Sequence, residues 1–434
     1  MKKYIIIILG LGLTLSLGNC EFENDVDPNQ PSLSAVLANT SPQELNLLVG
    51  GLEARSRDAM GAFITATGSI ARELYDFNAS DPTTTETLIG KDGATLNGSE
   101  PQLTGTMFAR YQAVKSAEFI LEAVENVALT EAQKQGFRGV ANTFKGLNLM
   151  NVLSLLNNNG VRVDVKDPEN LGPYLSKAEG FQAIRGFLDL GFDQLQGAEF
   201  TFQLSGGFTG FDTPAEFAGF NRAIAARVAL YEEDYASALS LVNSSFMDMN
   251  GELADGPKKS YGVGGTEILN PIFKSPQQSG DQYVVHNRLI TDIQAGDARI
   301  NKFRLRDDPV PRDGLNGTHE IDLYASSTSP IDFIRNEELI LIFAEASVQV
   351  GNLSDAVDAL NVIRNAYGLA NYGGAVTEDA LIDELLYNRG YSLWAEGHAM
   401  FDLRRYDRLN DQFLPIDRTG DIIHTEFPIP PFEQ

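Results

Sequence analysis

The sequence predicts a mainly helical, all-α protein: a scaffold of tetratricopeptide-like helical hairpins interrupted by a long irregular excursion of loops and short strands. Three observations predict it. Helical periodicity dominates residues 42–204, 214–246 and 336–410. Two stretches, AARVALYEEDYASALSLV and AEASVQVGNLSDAVDALN, share one spacing: a small residue, a short polar turn, a large residue and an alanine three later. Ala226, Tyr235 and Ala238 set it in the first, Ala344, Leu353 and Ala356 in the second. On spacing alone, two ordinary helical hairpins remain the alternative. Between the helical blocks, residues 251–329 are rich in Gly, Pro, Asp and Asn, and this stretch is too long for a simple connection.

The chain opens on Lys2 and Lys3, followed over residues 4–17 by an apolar run too short to serve comfortably as a permanent membrane helix. This run reaches Leu17, Gly18, Asn19 and then Cys20, the one cysteine of the chain. The pattern resembles a bacterial lipobox, in which the cysteine is lipidated and becomes the first residue; Asn19 stands where a small residue is usual. An ordinary secretory signal beside an incidental cysteine is the alternative. A lone thiol makes no intramolecular disulfide, so acylation at Cys20 is its best explanation. Several acyl chains at roughly 0.8 kcal/mol per buried methylene make such an anchor effectively permanent. Glu21, Glu23, Asp25 and Asp27 then suit a solvated tether, giving a signal peptide over 1–19 and a lipidated acidic tether over 20–40. They also resemble the acidic signal that sends some lipoproteins to the outer cell surface. With 59 acidic against 33 basic residues and a net charge of -26, the chain should repel nucleic acid and anionic lipid.

The helices follow in order. FARYQAVKSAEFILEAVENV places Phe108, Tyr111, Val114, Phe119, Leu121 and Val124 on a broad apolar face. EAQKQGFRGVANTFKGLNLMNVLSLL reads as its antiparallel partner, stopped by Asn157, Asn158, Asn159 and Gly160. Further helices are expected over 176–197 and 214–231.

Catalytic and metal signatures are weak. The chain has four histidines, His286, His319, His398 and His424, and no two of them lie at a metal-ligand spacing. DGLNGTHEID collects Asp313, Asn316, Glu320 and Asp322 without the alternation of a calcium loop, so it reads as a solvated loop. Neither a nucleophile elbow nor a phosphate-binding loop occurs. With 59 acids, a carboxylate pair for glycoside hydrolysis arises by chance. His398 reads as a buried hydrogen-bonding residue, and Trp394, the one tryptophan, as core packing. No cofactor and no metal are expected.

The C-terminal stretch LLYNRGYSLWAEGHAMFDLRRY is similar to a helix of the SusD/RagB family of nutrient-binding outer-membrane lipoproteins. Arg389, Glu396, Gly397, His398, Phe401, Asp402, Leu403, Arg404 and Arg405 carry the match. ELILIFAEASVQVGNLSDAVDALNVIRNAYG resembles the preceding family hairpin, and the closing FPIPPFEQ its Pro-Ile-Pro end. GVANTFKGLNLMNVLSLLNNNG is a weaker match to a helix of the first half. The resemblance implies one SusD-like domain over 41–434, with helical hairpins at about 41–250 and 336–410 and a ligand-side excursion at about 251–335. It implies a non-catalytic, lipid-anchored protein of the cell outer membrane that binds a glycan and delivers it to a SusC-like TonB-dependent transporter. A lipid-anchored glycan hydrolase, or the same role with peptide cargo, are the alternatives.

A sugar or peptide site needs flat rings for stacking and planar polar groups for paired hydrogen bonds. ARELYDFNASDPTTTETLIG supplies Arg72, Glu73, Tyr75, Asp76, Phe77 and Asn78 at what reads as a helix end before a Thr-rich loop. DQYVVHNRLITD offers Tyr283, His286 and Arg288 in the excursion. These nine are the candidate ligand-binding residues.

Overall fold

A computed structural model describes residues 39–265 and 267–433. The signal segment, Cys20 and the tether up to residue 38 lie outside the described residues. The first half runs α1 (Pro42–Arg55), α2 (Met60–Ile70), β1 (Leu74–Phe77), α3 (Pro101–Asn126), α4 (Glu131–Leu156), β2 (Val161–Arg162), β3 (Tyr174–Leu175), α5 (Lys177–Leu195), α6 (Pro214–Tyr231) and α7 (Tyr235–Asn243). The excursion carries β4 (Lys258–Lys259), β5 (Gln282–Val285), α8 (Asn287–Asp292), β6 (Phe303–Arg312), β7 (Leu315–Ile321) and β8 (Ile331–Asp332). It is followed by α9 (Asn336–Gln349), α10 (Leu353–Ala366), α11 (Glu378–Ser392) and α12 (Ala399–Arg405).

Local chemistry sets the helix starts. Ser41, Thr130, Ser176 and Thr213 each accept the N3 backbone N–H, while Glu44, Gln133, Glu179 and Glu216 reach back to the cap, closing four capping boxes. The helix stop expected after residue 156 is present, with Asn157 at φ 49° and Gly160 at φ 78°. The two units of shared spacing are hairpins, α6 with α7 and α9 with α10, and Ala226, Ala238, Ala344 and Ala356 are all fully buried in them. Small side chains at these positions let the paired helices approach closely. The scaffold is thus mainly helical, as expected.

Three expectations need correction. Periodicity over 42–204 is broken by β1 and the loop after it, and by the β2–β3 pair, whose residues are short extended pieces between helices. On α3 the buried stripe runs through Leu103, Met107, Arg110, Val114, Ala117 and Ile120, which turns Phe108 outward at 65% exposure. DGLNGTHEID is not a loop: Asp313 and Gly314, at φ 48° and 80°, form a two-residue hairpin turn, and β7 follows at once. The excursion therefore supplies three strands of a four-stranded sheet in the order β1-β5-β7-β6, β1 coming from the first half, with β5 antiparallel to both β1 and β7.

After α12 the chain returns across the first half. Ile422 N–H donates to Gly90 O (3.0 Å), Phe427 N–H to Leu155 O (3.0 Å) and Asn157 Nδ2 to Glu426 (2.9 Å). Arg162 Nε meets Glu433 at 3.0 Å. The approach is close enough that a Cβ on Gly98 would lie 2.7 Å from Ile429 O.

Candidate functional site

The two candidate stretches, about two hundred residues apart in sequence, are brought together as paired strands. Leu74 faces Val285, Tyr75 faces Val284, Asp76 faces Tyr283 and Phe77 faces Gln282, and His286 N–H donates to Glu73 O at 3.1 Å. Arg72, at φ 54°, turns the chain out of α2 into β1.

Side-chain placement divides the nine residues. The rings of Tyr75, Phe77 and Tyr283 are buried, at 3%, 0% and 7% exposure. Stacking on a ligand needs an open ring face, so the expected stacking on Tyr75 and Phe77 is corrected: they pack side by side with centroids 6.3 Å apart, and Tyr75 meets His286 edge-on at 5.4 Å. The polar partner of this packing is Asp417, which no motif in the sequence singles out. Tyr75 O–H donates to its Oδ2, His286 Nε2 lies 2.8 Å from its Oδ1, and the fully buried Arg72 faces it at 3.2 Å as an ion pair. Burial alone would raise the Asp417 carboxyl, but His286, Tyr75 and the Arg72 charge outweigh it and hold it below the ordinary carboxylate range. Burial lowers His286 in turn, against the pull of Asp417. Arg72 also donates to the carbonyls of Ser69, Ile89 and Ile422, tying the strand pair to the loop after β1 and to the returning C-terminal segment.

At the end of β1 polar groups do reach the surface. Asp76 and Asn78 are half-buried. Burial, and then the charge and hydrogen bond of Asp281, push Asp76 up to about 7. Lys274 Nζ sits 2.6 Å from Asp281 Oδ2 and 4.5 Å above the Tyr283 ring. Gln102 donates to Asp81 at 2.8 Å, yet its Oε1 has no hydrogen-bond partner. Neither Asp76 Oδ1 nor Asp281 Oδ1 receives a protein donor. The edge is rich in acceptors, several of them buried and left without a protein partner.

Within the excursion a polar cleft of about 390 Å³ is lined by Tyr324, Tyr367, Lys302, Arg335 and Glu396. Its charges are spent on one another: Arg335 pairs with Glu337 (2.8 Å) and Glu396, and Lys302 Nζ donates to the carbonyls of Tyr391 (2.8 Å) and Ser392 (2.6 Å) at the end of α11. Glu73 and Arg288 turn away from both places, toward α11 and α12. His398 is buried with Nδ1 2.8 Å from the Tyr231 hydroxyl, and burial lowers it to about 4. Trp394 is fully buried, its indole N–H on Glu73 O at 3.3 Å. Among the described residues, no group of three or more His, Cys, Asp or Glu could hold a metal ion, and no helix is long and apolar enough to cross a membrane.

The molecule is thus of the helical-hairpin scaffold class, with a sheet-bearing flank that presents a polar edge and a cleft. Residues 274–431 match the SusD family model. Surface glycan-binding protein A of Bacteroides thetaiotaomicron, solved in complex with laminarihexaose, has the same fold, with a TM-score of 0.70 and 14% identity over 91% of this chain and 97% of that one. A SusD superfamily protein of Bacteroides vulgatus gives 0.66 at 15% identity, over 90% of this chain and 96% of its own. A SusD-like carbohydrate binding protein of the same organism gives 0.66 at 14% identity, over 83% and 82%. None of the curated proteins matches the chain. Residues 274–431 thus match the SusD family model, and nine tenths of the chain share the fold of these solved proteins. The family resemblance carried by the C-terminal helix is therefore borne out.

Proposed function

We propose that the protein is a non-catalytic, lipid-anchored protein of the cell surface that captures an oligosaccharide and delivers it to a SusC-like TonB-dependent transporter. The observation that carries this reading is the fold shared over nine tenths of the chain with a surface glycan-binding protein solved with laminarihexaose bound. In this reading the signal peptide (1–19) is removed, Cys20 is acylated, and residues 41–434 work as one unit behind the acidic tether.

Ligand contacts are assigned to the acceptor-rich edge, with Asp76 and Asn78 from the nominated residues and Asp281 and Lys274 beside them. Arg72, Tyr75, Phe77, Tyr283 and His286 hold that edge in place from beneath. Hydrogen bonds to a flexible chain, less the entropy of ordering it, give affinities on the order of micromolar to millimolar. Calorimetry against laminarihexaose and a panel of other oligosaccharides tests the reading, with Asn78→Ala expected to weaken any hit about tenfold. No heat with any glycan would overturn glycan capture, and heat with oligopeptides instead would change the cargo. Cleavage of a panel member at a rate proportional to protein would make the chain a hydrolase.

A further inference from the structure

Behind the β1–β5 pair, a second cleft of about 240 Å³ opens between α8, α11, α12 and the segment 408–414. It is separate from the polar edge and from the excursion cleft, and the SusD reading assigns it no role.

Its aromatic wall is rigid. Tyr387 O–H donates to Asp297 (2.7 Å) and accepts Gln294 N–H (2.9 Å), while Tyr391 O–H donates to Leu289 O (3.0 Å). With both hydroxyls used internally and the rings 4.7 Å apart, the cleft is offered ring surface rather than phenol oxygen. Phe413, 55% exposed, stands at the rim under the guanidinium of Arg408, which is paired with Asp383 at 2.6 Å.

The polar groups are few and aimed. Arg288 is held by Nε on Arg72 O (2.8 Å) and Nη2 on Ala71 O (3.2 Å), bonds that do not use Nη1. Glu73, 2% exposed, accepts Ala395 N–H on Oε1 (2.8 Å), and its Oε2 has no hydrogen-bond partner. A buried acceptor left open keeps its desolvation cost uncompensated, which a ligand hydroxyl would recover. Charge does not select an ion here. Arg408 is cancelled by Asp383, the Asp402 carboxylate at the floor by Arg389 and Arg405, and Arg288 lies against Glu73 and Asp292. The volume is below the range of about 300–1,000 Å³ of drug-sized sites, so it suits one ring.

We propose that this cleft binds a single neutral sugar residue, with one ring face on Tyr387 and Phe413 and its hydroxyls on Glu73 Oε2 and Arg288. The ring comes from a free monosaccharide or from the end of a chain. This site stands whether or not the polar edge binds an oligosaccharide.

Gly390 supplies the test. It lies on the cleft wall within α11, and a Cβ added there meets no atom within 4 Å, so Gly390→Leu fills the space without a clash and improves helix propensity. The full chain in detergent is titrated by saturation-transfer NMR with glucose, galactose, mannose, xylose and N-acetylglucosamine to about 50 mM, and separately with laminarihexaose. At least one monosaccharide should saturate with a Kd on the order of 1–10 mM, and Gly390→Leu should raise that Kd at least about tenfold while melting no lower than wild type. Saturation by laminarihexaose alone that Gly390→Leu removes would assign the chain end as the source. Should Gly390→Leu fail to fold, Phe413→Ala at the exposed rim should weaken binding about threefold. The inference is overturned if nothing saturates, or if a folded cleft variant binds as wild type does. Sugar binding that only Asn78→Ala removes would overturn the cleft and leave the polar edge standing.

Discussion

Asp417 is a single carboxylate on which the buried Arg72, His286 and Tyr75 all converge. Removing its charge leaves the Arg72 guanidinium in the interior without a counterion, and breaking a buried pair in this way costs several kcal/mol. Asp417→Asn keeps the shape, so we expect a loss of about 3 kcal/mol, seen as a lower urea midpoint at an unchanged m value. An unshifted midpoint would show that Arg72 is neutralised elsewhere. Glu73 gives a pH signature. Burial, opposed by the Ala395 N–H and Arg288 and aided by Glu396 and Asp402, raises it from 4.5 to about 7. The folded chain then holds this proton more tightly than the unfolded chain does. Stability from this group is present below pH 4.5 and is lost as pH climbs toward 7, a swing of about 3 kcal/mol. The difference between wild type and Glu73→Gln should grow over that window in denaturant titrations at stepped pH; a flat difference would mean that the carboxyl is already ionised at pH 5. Composition showed that acids were plentiful, but not which would be buried. Tyr387 is hidden in the sequence for the same reason: it stands in a stretch that reads as scaffold, and only the fold of α8 against α11 puts its ring on a cleft wall, with Tyr391 buried behind it at 3% exposure.

Between α4 and α5, glycines set how close two elements come. A Cβ on Gly146 would meet Leu188 Cγ at 2.8 Å, whereas one on Gly51, in α1, meets nothing within 4 Å. The same substitution should therefore have opposite signs. Gly51→Ala gains about 0.5–1 kcal/mol of helix propensity, while in Gly146→Ala an overpacking cost of about 1–3 kcal/mol exceeds that gain. Thermal melts of the two variants check it, and stabilisation by both would mean that α5 yields freely. At this scale much was legible. The helix of 214–231 has those bounds, and the alanine spacing located both hairpins, because 3.6-residue periodicity and small-residue packing are local properties. LYDF was read as a helix end because four residues carry too little periodicity, and its pairing with QYVV is non-local. The Asp313-Gly314 turn is legible in the sequence: an Asp-Gly pair between alternating strands is a hairpin signal, masked here by the acids around it.

At the scale of the whole molecule, the proposed membrane attachment rests on one residue, Cys20. Cys20→Ala should abolish metabolic labelling with palmitate and release the protein into the soluble fraction, leaving the melting of the remaining chain unchanged. Labelling that survives would remove the lipid anchor from the proposed function. The family motif at residues 389–405 is the most legible part of the chain, although it is not one helix but the end of α11, a turn through Ala395 and Gly397 at φ 61° and 87°, and α12; the buried Arg389–Asp402 and Arg405–Glu345 pairs give the physical reason such a motif is specific. The segment that returns from α12 to lie against Leu155, Gly90 and Arg162 has a further consequence, which concerns time rather than space. At roughly 5–20 residues per second of synthesis, the partners of Leu155 and Arg162 are made some tens of seconds after them. The first half of the protein therefore waits, with its edges open, for the last few residues to be made.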